Sequence, residues 1–159
     1  EIHLSSRLGE GTTCEFSIPY KVATEKLEIK PPKNSTYFND VNILIVEDNP
    51  TNQLVLKKML KKIVTSITLA NHGMQAIELC QNNTFDIILM DWHMPVLDGL
   101  EATKALRENP HFANTPILGL TASVMKEDIK ACIDAGMNEV ITKPINREEL
   151  FNAITQYSK

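Results

Sequence analysis

The sequence lacks the features that would place it in a bilayer, on nucleic acid or in a disulfide-stabilised fold. None of its apolar runs approaches the roughly 18 residues needed to cross a membrane, and its 16 basic residues are outnumbered by 20 acidic ones without forming a basic run. The three cysteines include no CxxC pair, and Cys80 and Cys132 fall at apolar positions of predicted helices, which is typical of buried, reduced thiols. We therefore expect a cytoplasmic segment without a metal–thiolate site, a nucleic-acid partner or direct membrane contact.

What the sequence does contain is three stretches of different character. In residues 1–20, apolar and polar side chains alternate on both sides of a glycine-containing turn, which predicts a two-stranded hairpin too small to be stable by itself. Residues 21–40 alternate lysine with glutamate and then contain Pro31-Pro32, a composition typical of a linker. Residues 41–159 are long enough and apolar enough to form one globular domain.

Within residues 41–159, short apolar runs and amphipathic helix patterns alternate five times. Five βα units predict an α/β fold with a parallel sheet, because right-handed crossovers place helices on both of its faces. We expect the doubly wound form with the strand order 2-1-3-4-5. The predicted helix stripes include Leu56, Met59, Leu60 and Ile63 in the first helix, Ala102, Ala105 and Leu106 in the third, and Met125, Ile129, Cys132 and Ile133 in the fourth.

The third predicted strand leads into a carboxylate. Ile87–Met90 is an unbroken apolar run, as expected for a strand buried on both faces, and it ends at Asp91. Met94-Pro95 delays the next helix, and Asp98-Gly99 is typical of a turn and cap before it. Ligands bind at the carboxyl ends of the strands in open α/β sheets, so Asp91 lies where chemistry is expected.

Four of the predicted strands end in polar residues, namely Glu47 and Asp48 after strand 1, Asp91 after strand 3, Thr121 after strand 4 and Lys143 after strand 5. Strands 1 and 3 are neighbours in the expected order, so three carboxylates converge, and like charges that close require a positive partner. Hard oxygen ligands suit Mg²⁺, which keeps several waters and accepts a phosphoryl oxygen. Lys143 adds a point charge and Thr121 a hydroxyl donor. The set predicts phosphoryl transfer with a carboxylate as nucleophile.

Two other functions are compatible with this fold class. A cofactor binder of the flavodoxin type would need a glycine- and hydroxyl-rich phosphate loop after strand 1, where Glu47 and Asp48 would repel the phosphate. A metal-dependent phosphatase with an aspartate nucleophile generally carries a second aspartate two residues after the first, and this sequence has His93 there. The site residues favour a phosphoacceptor module over both alternatives.

Residues 41–159 resemble the receiver domain of two-component response regulators over its whole length. The motifs that carry the resemblance are Val46-Glu47-Asp48-Asn49, Leu89-Met90-Asp91, Met94-Pro95, Asp98-Gly99, Leu120-Thr121-Ala122 and Lys143-Pro144. The resemblance implies a flavodoxin-like (βα)5 fold in which Asp91 accepts a phosphoryl group from a phosphohistidine. It further implies a site for Mg²⁺, or Mn²⁺ in its place, formed by Glu47, Asp48, Asp91 and the backbone carbonyl of His93. Thr121 and Lys143 would contact the new phosphoryl group.

One position departs from the receiver pattern. Many receivers carry Tyr or Phe three residues before the lysine, as the aromatic half of the switch, and this chain has Val140 there. We expect the Thr121 half of the switch to be retained and the output movement to be smaller, as suits a relay. A degenerate receiver that serves as a docking surface for the attached kinase is the alternative function, although the acid cluster is complete.

Residues 1–20 resemble the last hairpin of the ATP-binding domain of histidine kinases. The matching positions are Ser6, Gly9, Gly11, Thr12, Phe16 and, with altered spacing, Pro19. The nucleotide-binding boxes of that family precede this hairpin, so the chain itself is not expected to bind ATP. The resemblance implies a hybrid histidine kinase as the parent chain, with that kinase's phosphohistidine domain and a histidine phosphotransfer protein as partners. It leaves open whether the parent chain is anchored in a membrane.

Overall fold

The chain divides into two compact units, Glu1–Asn34 and Ser35–Lys159. The computed structural model describes residues 2–19 and 40–158. The linker predicted at residues 21–40 therefore lies outside the described residues, except for Asp40. Within the described ranges, no helix is both long enough and apolar enough to span a bilayer.

The first unit contains a two-stranded antiparallel hairpin at the place where the sequence predicts two strands. Strand β1 (Ile2–Arg7) pairs with β2 (Gly11–Phe16), and Gly9 adopts a φ of 85° in the turn between them. Residues directly opposed across two strands share one face of the ribbon. The opposed apolar pairs are Ile2 with Phe16 and Leu4 with Cys14. The three larger side chains of this face are 70–72% exposed.

The second unit is a five-stranded parallel sheet covered by helices. Its strand order is β4-β3-β5-β6-β7, which is the predicted order 2-1-3-4-5 when the strands are counted within the domain. The strands are β3 (Asn42–Val46), β4 (Ser66–Ala70), β5 (Ile87–Asp91), β6 (Ile117–Thr121) and β7 (Glu139–Thr142). The helices are α1 (Pro50–Leu60), α2 (Gly73–Asn82), α3 (Gly99–Glu108), α4 (Lys126–Asp134) and α5 (Arg147–Tyr157). The predicted doubly wound, flavodoxin-like architecture is confirmed.

Each face of the sheet has its own hydrophobic core. Successive side chains of a strand point to opposite faces, so Ile43 and Ile45 of β3 pack with α1 and α5, whereas Leu44 and Val46 pack with α2 and α3. All five residues of β5 are buried, as expected for an apolar run that is covered on both sides. The central strand is therefore a rigid support for the residues at its carboxyl end.

Two strands extend one residue further than their apolar runs predict. β5 includes Asp91 and β6 includes Thr121, because ladder hydrogen bonds continue past the last apolar side chain. The N–H of Trp92 donates to the carbonyl of Leu120 at 3.0 Å, and the N–H of Lys143 donates to the carbonyl of Thr121 at 2.7 Å. The sheet thus holds Asp91 and Thr121 at 5% and 1% exposure.

The predicted helix stripes were wrong at three apolar positions, which are exposed. On α3, Ala105 is exposed and Thr103 is buried; the Thr103 hydroxyl donates to the carbonyl of Gly99 at 2.6 Å, which lets a polar side chain occupy the core face. At α4, Ile133 is 45% exposed, and Met125 is 64% exposed because it precedes the helix as its N-cap. Periodicity alone does not reveal where a helix begins or which polar groups find a local partner.

Candidate functional site

The acid pair follows β3 directly, in the connection that leads into α1. The backbone N–H of Glu47 donates to the carbonyl of Ala70 at the end of β4 at 3.0 Å, and the residue is 1% exposed, whereas Asp48 is exposed. The side chain of Asn49 then caps α1 by accepting from the N–H of Thr51 at 2.8 Å, as the sequence predicts. This short junction brings one buried and one solvent-facing carboxylate to the same end of the sheet.

Asp91 stands at the end of β5, between β3 and β6, and its backbone is packed against the start of α3. The N–H of Gly99 donates to the carbonyl of Trp92 at 2.8 Å, and a Cβ added to Gly99 would lie 2.1 Å from the carbonyl oxygen of Asp91. Only glycine permits so close an approach of two backbones. The carboxylate of Asp98 caps α3 by accepting from the N–H of Glu101 at 2.9 Å. The predicted Asp98-Gly99 turn is therefore packed directly against the backbone of Asp91 and Trp92.

The three carboxylates converge at this end of the sheet. Glu47, Asp48 and Asp91 each offer an oxygen, and these oxygens all lie within 4.8 Å of one another. Among residues 2–19 and 40–158, this is the only cluster of three or more potential metal-ligating groups of this kind. A donor set of carboxylate oxygens with one side open to solvent fits a hard cation such as Mg²⁺, which retains water ligands.

Lys143 lies between two of these carboxylates. Its Nζ is 2.7 Å from Oε2 of Glu47 and 2.9 Å from Oδ2 of Asp91. Burial lowers the pKa of Lys143, but its hydrogen bonds to Glu47 and Asp91 outweigh that effect and the pKa is raised, so the ammonium stays charged. For Asp91, burial raises the pKa, the hydrogen bond from Lys143 lowers it, and the charges of Glu47 and Asp48 raise it, with a net increase. With three carboxylates and one ammonium, the cluster carries a net negative charge when its carboxylates are ionised.

Thr121 is connected to the beginning of α4. Its hydroxyl oxygen accepts from the backbone N–H of Ser123 at 3.1 Å, so the hydroxyl proton is left to be donated elsewhere. The hydroxyl of Ser123 donates in turn to Asp128 in the first turn of α4. A change in the hydrogen bonding of Thr121 would therefore alter the contact between Ser123 and the first turn of α4.

The sequence singled out two further positions, His93 two residues after Asp91 and Val140 three residues before Lys143. The exposed ring of His93 packs against the ring of Trp92, with centroids 4.4 Å apart and planes inclined by 39°. The role of the His93 backbone carbonyl as a metal ligand stays a prediction. Val140 is half-buried on β7, in register with Gly119 of β6. The position of the switch aromatic is thus filled by a packed aliphatic side chain.

Sequence reasoning missed two amide side chains of α1 that hold the acid pair in place. Nδ2 of Asn52 donates to Oε1 of Glu47 at 2.8 Å. Nε2 of the buried Gln53 donates to the backbone carbonyl of Glu47 at 2.6 Å and to Oδ1 of Asn71 at 2.9 Å. The available signal was a pair of amides shortly after a capping asparagine, but the sequence did not reveal the direction in which either side chain points.

The geometry also bears on the two alternative functions. Glu47 and Asp48 occupy the place after β3 where a flavodoxin-type protein needs phosphate-binding donors, and together with Asp91 they would repel an anionic cofactor. A phosphatase of the aspartate class needs an acid two residues after the nucleophile, and the His93 ring at that position packs on Trp92. Neither alternative gains support from the side chains that are present.

Comparison with known protein sequences agrees with this geometry. A family model described as the response regulator receiver domain matches residues 43–155. The autoinducer 2 sensor kinase/phosphatase LuxQ of Vibrio vulnificus (strain YJ016) is 34% identical over 160 residues, which cover 99% of this chain and 19% of that protein. The hybrid signal transduction histidine kinase K of Dictyostelium discoideum is 36% identical over 156 residues, which cover 91% of this chain and 13% of that protein. The chain thus spans about a fifth or less of the length of these relatives.

Solved structures share the fold of the second unit. The receiver domain of sensor histidine kinase PA1611 from Pseudomonas aeruginosa PAO1, with a magnesium ion coordinated in its active site cleft, is 39% identical with a TM-score of 0.69. That match covers 74% of this chain and 97% of the PA1611 chain. The receiver domain of the response regulator Ssk1 from Saccharomyces cerevisiae, co-crystallised with the histidine phosphotransfer signalling protein Ypd1, is 34% identical with a TM-score of 0.70. It covers 76% of this chain and 90% of that one.

Proposed function

This chain belongs to the response regulator receiver domain family of two-component signal transduction, and from that premise we propose that it is a phosphoryl acceptor in a phosphorelay. Asp91 takes a phosphoryl group from a phosphohistidine and passes it on to a histidine phosphotransfer protein. The match of the family model over residues 43–155 includes every residue to which we give a role in this reaction.

The observation that carries the proposal is the surroundings of one carboxylate. Asp91 lies at the end of the central strand, 5% exposed, with the ammonium of Lys143 at 2.9 Å and two further carboxylates within 4.8 Å. A nucleophile held by a rigid strand in a fixed orientation needs little reorganisation before it attacks. Carboxylates form covalent phosphoryl intermediates in this way.

In the transfer, a carboxylate oxygen of Asp91 attacks the phosphorus atom of the phosphohistidine. A new O–P bond forms while the N–P bond breaks, and the imidazole leaves with the electron pair of that bond. Lys143, beside Oδ2 of Asp91, offsets the negative charge that gathers on the transferring group. Thr121 has a hydroxyl proton to donate, because its oxygen already accepts from Ser123, and this proton is suited to a phosphoryl oxygen.

The reaction is proposed to depend on Mg²⁺ held by Glu47, Asp48 and Asp91, together with the backbone carbonyl of His93. When bound, the ion would neutralise the carboxylates and stabilise charge on the phosphoryl oxygens. The geometry supports a cation here, because three carboxylates offer oxygens within 4.8 Å of one another and, among the described residues, only one ammonium contacts two of them. The same oxygen donors are suited to Mn²⁺.

The parent chain is proposed to be a hybrid histidine kinase in which the receiver follows a kinase core. The match to LuxQ covers 99% of this chain and so reaches beyond the receiver into the preceding residues. In the hairpin, Ile2 and Phe16 on the apolar face are about seven-tenths exposed, and such a two-stranded ribbon needs further structure to cover it. We assign residues 1–20 to the terminal hairpin of an ATP-binding domain, residues 21–40 to a linker and residues 41–159 to the receiver.

A protein partner is supported by apolar side chains near the site. Helix α1 begins at Pro50, directly after the acid pair, and on it Leu54 is 51% and Val55 is 43% exposed. In the connection that follows Asp91, Val96 is 77% exposed. Apolar groups around a reactive carboxylate are what a docking protein covers and a small phosphodonor does not. A phosphohistidine domain and a histidine phosphotransfer protein fit this requirement.

The proposal is tested by intact mass measurement after incubation with Mg²⁺ and a small-molecule phosphodonor. We expect one phosphoryl adduct on the unmodified chain, none on Asp91→Asn, and none when a chelator precedes the donor. The matched control is Asp134→Asn, on the exposed end of α4, which should take up the group normally. Uptake by Asp91→Asn would contradict the assignment of the acceptor. If the folded, Mg²⁺-binding chain accepted nothing from the small donor or from a phosphorylated histidine phosphotransfer protein, a docking-only receiver would replace the proposal.

The aliphatic switch position is expected to limit the structural response to phosphorylation. Amide chemical shifts recorded with and without a phosphoryl mimic should change strongly at Thr121 and Ser123, which are joined by a hydrogen bond, and weakly around Val140. Large changes at Val140 would show that β7 moves without an aromatic residue and would contradict the expected small output movement.

A further inference from the structure

We infer that Asn52 is a positioning residue of the acid cluster, which acts on the metal and phosphoryl chemistry through Glu47 without touching the reacting atoms. The inference rests on the function proposed above and extends it to a residue of α1. Asn52 controls the orientation of the buried Glu47 carboxylate. Through that carboxylate it also influences the position of the Lys143 ammonium, which contacts Asp91.

The two oxygens of Glu47 have different partners. Oε2 accepts from Lys143 Nζ at 2.7 Å, and Oε1 accepts from Asn52 Nδ2 at 2.8 Å. The backbone N–H of Asn49 also reaches Oε1, but only at 3.3 Å. Because Glu47 is 1% exposed, solvent does not readily replace a lost donor. In the described part of the chain, Asn52 supplies the only side-chain donor to Oε1 of Glu47.

The start of α1 explains why Asn52 is available for this contact. It is the third residue of the helix, where the backbone N–H has no partner within the helix. The side chain of Asn49 accepts from this N–H at 3.4 Å and from that of Thr51 at 2.8 Å. The Asn52 side chain is therefore not needed for capping and donates instead to Glu47, three residues before the helix begins. Gln53, its neighbour, holds the backbone of Glu47 instead of the carboxylate.

The contact has a consequence for the whole cluster. Lys143 bridges Oε2 of Glu47 and Oδ2 of Asp91, at 2.7 and 2.9 Å, so the orientation of one carboxylate sets the position of the ammonium beside the other. Without the amide donor, Oε1 of Glu47 keeps only the longer 3.3 Å contact with the N–H of Asn49, so the carboxylate is held less firmly and a bound cation must order it. Hydrogen-bond partners of ligating carboxylates are known to affect metal affinity by about 10- to 100-fold. Loss of the Asn52 donor should therefore weaken mainly the binding of Mg²⁺.

The test compares Asn52→Ala, which removes the donor, with Asn52→Gln, which keeps an amide, and with Asn152→Ala on the exposed face of α5 as the control. Mg²⁺ is titrated without a phosphodonor and followed by the fluorescence of Trp92, the single tryptophan, which neighbours Asp91. We expect the dissociation constant to rise about tenfold or more in Asn52→Ala, to recover at least partly in Asn52→Gln, and to be unchanged in Asn152→Ala. Urea unfolding in metal-free buffer verifies that each variant is folded.

A second readout separates positioning from general damage. In phosphoryl uptake from a small donor, the Mg²⁺ concentration for half-maximal rate should shift as the dissociation constant does, while the rate at saturating Mg²⁺ changes much less. Unaltered Mg²⁺ affinity in Asn52→Ala, beside an unmodified chain that binds the ion, would overturn the inference and leave the proposed function intact. Equal weakening in Asn52→Ala and Asn52→Gln would also overturn it, because the amide donor would then be irrelevant. Absence of Mg²⁺ binding by the unmodified chain would instead contradict the metal site itself.

Discussion

Replacement of Asp91 by asparagine should make the metal-free protein more stable, although it removes the proposed acceptor. The ionised carboxylate is buried, and Glu47 and Asp48 offer further carboxylate oxygens within 4.8 Å of it. An amide has nearly the same shape, keeps a hydrogen-bond acceptor for Lys143 and carries no charge. The question is whether the attraction to Lys143 outweighs the repulsion and the cost of burial.

The distances allow a rough answer. With an effective dielectric constant of about 20, Lys143 at 2.9 Å attracts the Asp91 carboxylate by about 6 kcal/mol and Glu47, within 4.8 Å, repels it by about 3–4 kcal/mol. Asp48 adds a smaller repulsion because it is exposed and screened by solvent. The charge terms thus leave a net attraction of about 2 kcal/mol, which the several kcal/mol lost on burying a carboxylate exceed. The raised pKa of Asp91, for which burial is the largest cause, agrees with this balance. Because Lys143 keeps Glu47 as a charged partner, we expect Asp91→Asn to gain about 1–3 kcal/mol, the difference between the burial cost and the net attraction.

Urea unfolding near pH 7, followed by Trp92 fluorescence, measures this difference. In a chelator the variant should unfold at the higher urea concentration. Mg²⁺ at about 100 times its dissociation constant should add about 2.7 kcal/mol to the unmodified chain and much less to Asp91→Asn, so that the difference narrows or reverses. A variant less stable than the unmodified chain in the chelator would refute the reasoning, because the attraction to Lys143 would then exceed the cost of burial.

The raised pKa of Asp91 also predicts how the free energy of unfolding changes with pH. Because the pKa of Asp91 is raised, its folded form binds more protons than the unfolded chain between the ordinary aspartate pKa, about 4, and the raised value. The stability contributed by this residue therefore falls as pH rises through that interval. In Asp91→Asn, the free energy of unfolding should not show this decrease with pH. If it depended on pH in the same way in both proteins, the raised pKa of Asp91 would be contradicted.

The remaining predictions concern backbone packing and thiol burial. Gly99→Ala should lower the free energy of unfolding by about 3 kcal/mol, the upper end of the usual range for overpacking, because its Cβ would lie 2.1 Å from the carbonyl oxygen of Asp91; an unchanged urea midpoint would contradict this packing. Of the three cysteines, Cys14 is exposed, whereas Cys80 and Cys132 are buried, and burial raises the pKa of Cys80 to about 11. A thiol-alkylating reagent should therefore label Cys14 alone in the folded protein and all three in urea, as mass measurement would show, and labelling of Cys80 without denaturant would contradict its burial.

The sequence was sufficient to predict the architecture, because the information for it is local. Apolar runs of four or five residues, helix stripes and the capping residue Asn49 each depend on neighbours in the chain, and together they predict five βα units. The errors were also local in origin. Periodicity predicted that Ala105 would be buried, but Ala105 is exposed and Thr103 is buried. The Thr103 hydroxyl can be buried because it donates to the carbonyl of Gly99, one turn earlier in the helix.

By itself, the sequence therefore determined that Glu47, Asp48, Asp91 and Lys143 meet at the carboxyl end of the sheet, because the carboxyl ends of parallel strands lie at the same edge. Only the tertiary structure decided how they meet. Glu47 and Lys143 are 96 positions apart in the chain, and their contact depends on the register of the strands between them. Glu47 is buried and Asp48 is exposed, although these adjacent carboxylates could not be distinguished from the sequence. The contact of Asn52 with Glu47 spans only five positions, but the sequence pattern does not reveal it, because the rotamer depends on the backbone conformation that the folded chain adopts there.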